Sequence, residues 1–298
     1  MDLSKINQNN IAEKIKQEER ELAEDRKMTS ALEIMELYSG EDRVVSSEDY
    51  LLHLQELRER RGNKTFMTGI PKLDEIIGGF KEGQLIVLSA PTGQGKTHFL
   101  QSLTNNFAKD GTPCLWFNFE VAGEEFFERF NGEVPTFYLP KKIKGSSLDW
   151  LKKRILEGIA KFNTKIIFID HLHFLLEMED LAKAKNLSLL IGMLMRELKK
   201  IAIKTDTIIF LVSHMKKSLL EKTPTIEDLR DSSFVAQESD LVLMLWRHKI
   251  KNSESPTGWE FTNESRLIVE KNRRTGKLGY VKLLLANGRF QEITNYYG

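Results

Sequence analysis

Two kinds of apolar run alternate along the chain. Continuous β-branched and aromatic stretches at Leu85 to Leu88, Cys114 to Phe119, Lys165 to Ile169 and Thr207 to Val212 suit strands covered on both faces of a parallel sheet. Between them, apolar residues recur at helical spacing. Leu187, Leu190, Ile191, Leu194, Met195, Leu198 and Ile201 mark one face of a long helix; other helices are predicted from His98 and from about Glu124. Strands predicted over 241–246, 266–270 and 280–285 finish the chain. This alternation predicts an α/β fold with a mostly parallel central sheet flanked by helices.

The first 62 residues read differently. From Ile11 to Tyr38 the chain is charged and helix-favouring, with Met28, Leu32, Met35 and Tyr38 clustered near its end. A second helix is predicted from Ser47 to Arg60, with Ser47 as its cap and Tyr50, Leu51, Leu54 and Leu57 on one face. Such a helix needs a surface to dock on, either its own domain or a neighbouring subunit. The expected division is therefore a helical arm and linker helix over 1–62 and a domain over 63–298.

Between the first strand and its helix stands Ala90-Pro91-Thr92-Gly93-Gln94-Gly95-Lys96-Thr97, followed by His98. In a phosphate loop, glycines turn successive backbone N–H groups inward around phosphate oxygens, and the helix N-terminus adds partial positive charge. Lys96 would meet the β- and γ-phosphates, and the Thr97 hydroxyl would complete Mg²⁺ coordination. Ala90 replaces the usual first glycine. Two acidic residues close neighbouring apolar runs. Asp170 is the candidate Mg²⁺ carboxylate, and Glu120 the candidate base for the attacking water, on the expectation that its strand adjoins the loop's strand. His214, at another strand end, could sense the γ-phosphate. His171 and His173 lie two apart in a strand-like segment, which points them to opposite faces and makes a poor metal pair.

Composition narrows the rest. The chain has 298 residues, 41% hydrophobic, enough for a sizeable core. No apolar run approaches the ~20 residues that span a bilayer, and Met1 to Lys5 lacks an apolar signal core, so a cytoplasmic protein is expected. The one cysteine, Cys114, lies in an apolar run and reads as a small buried hydrophobe. A net charge of +1 gives no global case for nucleic acid, but it divides unevenly: 15 acidic and 10 basic residues in 1–62, 34 basic and 28 acidic in the remainder. Any DNA-binding surface must be local.

Taken in order, these segments resemble the ATPase domain of DnaB-type replicative helicases, within the RecA-like superfamily. Thr68-Gly69 through Asp74 to Gly79 is similar to the family's lead-in, Phe119-Glu120 to its catalytic strand end, and Ile167 to Asp170 with Leu172 to its Mg²⁺ strand. Ser213 to Lys217 looks closer to the phage and mitochondrial primase-helicase branch, which has histidine at the sensing position. Asp228-Leu229-Arg230-Asp231-Ser232-Ser233, followed by Gln237 to Asp240, has the shape of the family's DNA-facing loop and next strand. Lys271 and Arg273 match residues that reach the neighbouring subunit's γ-phosphate, with Arg273 as the arginine finger and Arg274 a competing assignment.

The resemblance covers about 63–298 and implies an ATP- and Mg²⁺-dependent helicase. Such an enzyme would work as a ring-shaped oligomer, a hexamer in the family's pattern, on single-stranded DNA during replication, with a loader or primase as further partners. Lys216, Lys217 and Arg230 would contact DNA phosphates. A RecA- or KaiC-like regulatory or recombination ATPase, binding DNA or protein without unwinding, is the alternative. Residues 1–62 are too short for the family's usual N-terminal helical domain.

Overall fold

The computed structural model describes residues 13–14, 16–17, 40, 43–61, 64–143, 147–175, 187–215, 223–229, 232–255 and 258–294. The chain divides into two compact units, Met1–Lys64 and Thr65–Gly298. Most of the predicted Ile11 to Tyr38 helix, including its apolar cluster, lies outside the described residues. In the first unit, helix α1 spans Ser47–Arg61. Its cap is Ser46 rather than Ser47: the Asp49 N–H donates to Ser46 Oγ at 3.0 Å, and the hydroxyl in turn donates to the Asp49 carboxylate.

The second unit opens with α2, Pro71–Ile77. Proline begins the helix where an N–H would go unused, and Gly78 ends it with a left-handed φ of 67°. The lead-in is a structural brace: Asp74 Oδ1 accepts from the Thr68 N–H, and Asn106 donates to the Thr68 carbonyl. There follow β1, Leu85–Ala90; α3, Lys96–Lys109; β2, Cys114–Asn118; α4, Gly123–Glu128; α5, Leu148–Phe162; β3, Ile166–Asp170; α6, Leu187–Thr205; β4, Ile208–His214; and α7, Ser232–Glu238. Strands β5, Leu241–Lys251, β6, Trp259–Asn272, β7, Gly279–Ala286, and β8, Arg289–Glu292, complete the unit.

All eight strands form one sheet in the order β2-β3-β4-β1-β5-β6-β7-β8. The first five in that order run parallel, and β6, β7 and β8 join antiparallel without intervening helices. The alternating pattern thus describes only the front of the sheet. Correcting a sequence expectation, β2 does not adjoin β1: β3 and β4 lie between them. Strand order depends on which crossovers the helices make, and local apolar patterning carries no trace of it.

Covered faces explain the continuous apolar runs. Along β1, Ile86, Leu88 and Ala90 join one core with Phe99, Leu100, Leu103 and Phe107 of α3, while Leu85 and Val87 join a second with Leu151 and Ile155 of α5 and Ile191, Met195 and Leu198 of α6. The fully buried Trp116 locks β2 to α3, its indole N–H donating to Thr104 Oγ1 at 3.0 Å and its ring packing 4.7 Å from that of Phe168. Cys114 is likewise buried, and desolvation pushes its thiol well above the ordinary range. Among the described residues, no helix is long and apolar enough to cross a membrane.

Candidate active site

The carboxyl ends of β1, β3 and β4 meet along one edge of the sheet, with Ala90 in register with His214. Between β1 and α3 the chain must reverse tightly. Gly93 and Gly95 do so with φ of +77° and +90°, and a Cβ on Gly93 would meet nothing within 4 Å. Gly93 is thus exposed, with no neighbour packed against it. Gln94 is buried beneath it and accepts the Arg247 N–H at 2.7 Å, which ties the loop to β5.

Lys96 curls back over this loop, its Nζ donating to the carbonyls of Ala90 at 3.1 Å and Pro91 at 3.3 Å. Burial pulls the ammonium down from its ordinary value, while Glu120 and then Asp170 oppose that shift. Thr97 Oγ1 donates to Asp170 Oδ2 at 2.7 Å. Asp170 is fully buried, and its other oxygen, Oδ1, has no hydrogen-bond partner among the described residues. Burial raises the carboxyl to about 6, opposed by the Thr97 hydroxyl and reinforced by Glu120. An orphaned buried oxygen beside a threonine hydroxyl, at the foot of a glycine turn that opens a helix, suits a hard divalent cation; Thr97 and Asp170 fit Mg²⁺.

Although its strand lies at the sheet edge, Glu120 still reaches the site. Asn118 pairs in register with Asp170, and the Phe119 N–H donates to the Asp170 carbonyl at 2.7 Å. The Asn118 side chain then closes a turn, accepting from the Val121 N–H and donating to the Val121 carbonyl. Glu120 sits exposed within that turn. Its carboxylate, a His171 nitrogen and a His214 nitrogen all lie within 4.8 Å of one another. His171 does not continue a strand: β3 ends at Asp170, and a 3₁₀ turn over Leu172–Leu175 follows. Strand alternation therefore does not set the direction of His171, whose ring stands 4.2 Å from that of His214.

The first turn of α3 adds His98, half-buried between two cations. Burial lowers its pKa first, and Arg129 and Arg247 lower it further. Arg129 also bears on Asp170. Arg129 is a lone cation among aromatic and acidic residues, and Arg247 opens a basic run with His248, Lys249 and Lys251 that gives no sign of a place beside His98. Lys216, Lys217 and Arg230 lie outside the described residues; only the base of their segment is seen, where Met215 bridges Leu229 antiparallel.

Lys271 and Arg273 occupy the opposite edge of the sheet. Lys271 pairs with Val242, and the Arg273 N–H donates to the Asp240 carbonyl, while the Asp240 N–H donates to Leu85 at the start of β1. Leu85 and Ala90 are about five residues apart, or about 17 Å at the usual strand rise. The Lys271 ammonium donates to the Ala236 and Ser239 carbonyls at the end of α7, and Arg273 donates to the Gln237 carbonyl. Arg274 turns away to donate to the carbonyls of Ile77, Gly78 and Gly79, where it caps α2.

The profile of the family described as "DnaB-like helicase C terminal domain" matches residues 65–147 and 140–295. The chain belongs to that family. The Replicative DNA helicase DnaB of Mycoplasma pneumoniae is 28% identical over 283 residues, covering 80% of this chain and 59% of that protein. Its counterpart from Haemophilus influenzae is 25% identical over 278 residues, covering 81% of this chain and 58% of that protein. The chain thus spans about three-fifths of the length of these curated relatives. Two solved structures share the fold. "ATPase Domain of G40P" superposes with a TM-score of 0.68 at 20% identity, over 84% of this chain and 100% of that one. "The Structure Of A DnaB-Like Replicative Helicase And Its Interactions With Primase" superposes with a TM-score of 0.67 at 22% identity, over 98% of this chain and 78% of that one. Within this DnaB-like fold, the phosphate loop, Asp170 and Glu120 share one edge of the sheet.

Proposed function

We propose that this chain is an ATP-hydrolysing motor of the DnaB-like kind, which assembles head to tail into a ring, a hexamer in the family's pattern, and drives single-stranded DNA during replication. The observation that carries this reading is the separation of two sets of charges across the sheet. Lys96, Thr97, Asp170 and Glu120 gather at one edge, and Lys271 and Arg273 stand at the other, about 17 Å away. The second set is too far to serve its own loop. It suits the loop of a neighbouring copy, a heterologous contact that repeats around a ring.

In this reading the loop from Ala90 to His98 cradles the triphosphate, and Lys96 exchanges its carbonyl partners for phosphate oxygens. Thr97 and Asp170 hold Mg²⁺, which neutralises charge on the phosphates when bound. Glu120 orients the attacking water and accepts its proton, and His214 senses the γ-phosphate. Arg273, half exposed, acts as the finger with Lys271 beside it, while Arg274 is committed to α2. Lys216, Lys217 and Arg230 contact the DNA backbone. A primase or loader is the expected further partner, in keeping with the neighbour solved with primase.

ATPase and forked-duplex unwinding assays test this. Turnover should rise on adding single-stranded DNA and vanish in Lys96→Ala and Glu120→Gln. Arg273→Ala subunits mixed with wild type should depress activity more than in proportion. ATPase activity indifferent to DNA, with no unwinding, would return the chain to the regulatory alternative; strictly proportional loss in mixtures would refute a finger acting between subunits.

A further inference from the structure

We propose that Glu120, His171 and His214 form a second metal site, selective for a borderline-soft cation of the zinc class and distinct from the Mg²⁺ position at Thr97 and Asp170. Three segments converge to make it: the turn after β2, the residue after β3 and the end of β4. Each contributes one ligand atom, and the three atoms lie within 4.8 Å of one another. Two imidazoles and one carboxylate are the donor set of open, three-ligand zinc sites, with the fourth position left to water. Mg²⁺ is a poor occupant, because it takes oxygen ligands in near-octahedral geometry.

Zinc holds such ligands at about 2.0–2.2 Å, so tetrahedral neighbours stand about 3.4 Å apart. The present separation must therefore close by somewhat more than 1 Å, roughly a side-chain adjustment. Glu120 can supply it. That side chain is exposed, whereas His171 is buried at 8% exposure and its ring already lies edge-on, 4.2 Å from His214. The two imidazoles thus already stand side by side, and the exposed Glu120 side chain closes the site.

Occupation has a consequence that rests on the function proposed above. A carboxylate bound to zinc cannot accept the proton of the attacking water, so this cation would take Glu120 out of the step proposed for it and slow hydrolysis while nucleotide binding at the loop persists. The site is read independently of turnover by titrating Co²⁺ alone into the full, chelator-stripped chain and following the visible ligand-field band of tetrahedral cobalt. One saturable site is expected, displaced by Zn²⁺ and indifferent to Mg²⁺. Its affinity should fall at least about tenfold in His171→Ala and in Glu120→Gln. Circular dichroism identifies a His171→Ala chain that fails to fold, and in that event His171→Asn and Glu120→Gln decide. No band in the wild-type chain, or a band unchanged in these folded variants, overturns the site. Cobalt binding without zinc inhibition of an otherwise active ATPase overturns the hydrolytic block and leaves the site standing. A chain with no ATPase activity refutes the function proposed above, and the cobalt band still reads the site.

Discussion

Asp240 joins the start of the sheet to the edge where Arg273 stands, and its replacement has a consequence that can be worked out atom by atom. Its Oδ2 accepts the Leu85 N–H at 2.8 Å and the Lys199 ammonium at 2.6 Å, while Oδ1 lies 3.6 Å from Arg273. Asp240 and Lys199 are both largely out of solvent, so their pairing outweighs that with the half-exposed Arg273. Asp240→Asn keeps an acceptor for Leu85 and loses the charge, which should cost about 1–2 kcal/mol. Asp240→Ala also strands the Leu85 N–H, buried at the head of β1. An unsatisfied buried donor costs about 1–3 kcal/mol, so the alanine variant should lose about 2–5 kcal/mol in all. Urea unfolding of both variants, followed by circular dichroism, measures the difference. Lys199→Met closes a double-mutant cycle, with a coupling of about 1 kcal/mol or more expected. Alanine and asparagine variants within about 0.5 kcal/mol of each other would refute the role assigned to the Leu85 bond.

Other outcomes follow from the same geometry. An unfolded Asp titrates near 3.8, and burial raises Asp170 to about 6, so the folded chain retains a proton that the unfolded chain loses between those values. Stability of the metal-free chain should fall as pH rises across that window. The gain in thermal midpoint from Mg²⁺ should grow as pH passes 6; a gain independent of pH would exclude Asp170 as its ligand. In α6, a Cβ on Gly192 would come within 2.4 Å of the Phe234 ring in α7. Gly192→Ala should therefore cost about 1–3 kcal/mol, with part of the loss recovered by adding Phe234→Leu, and an unchanged midpoint would show that the two helices separate freely.

The parts of this site legible in the sequence are those encoded by contiguous residues. Ala90 to Thr97 could be read because a strand, a glycine turn and a helix N-terminus follow one another without a break, and Asp170 because it ends a run buried on both faces. Position within the sheet was not legible. Glu120 reaches Asp170 across β2 and β3 through the Asn118 turn, and no periodicity marks that path. The His171 and His214 pair was hidden for a related reason: strand alternation sends His171 and His173 apart, and only the departure from strand geometry after Asp170 brings His171 to β4. Helix α5 went unread despite a Ser147 cap and a left-handed Asn163 stop, since both are common in loops. Strand β8 is four residues long and too short to show a period.

Strand β5 is gripped at two points. In its second half the Arg247 N–H is held by Gln94 under the loop; just before its first residue, Asp240 carries the contacts to Leu85 and Arg273. About seven residues separate these grips, some 23 Å of extended chain, paired with β1 over Leu241–Met244 and with β6 beyond. In the head-to-tail ring proposed above, an extended strand running from socket to plug would let nucleotide alter the angle at which neighbours meet. A subunit would then report its chemistry to the next as tilt.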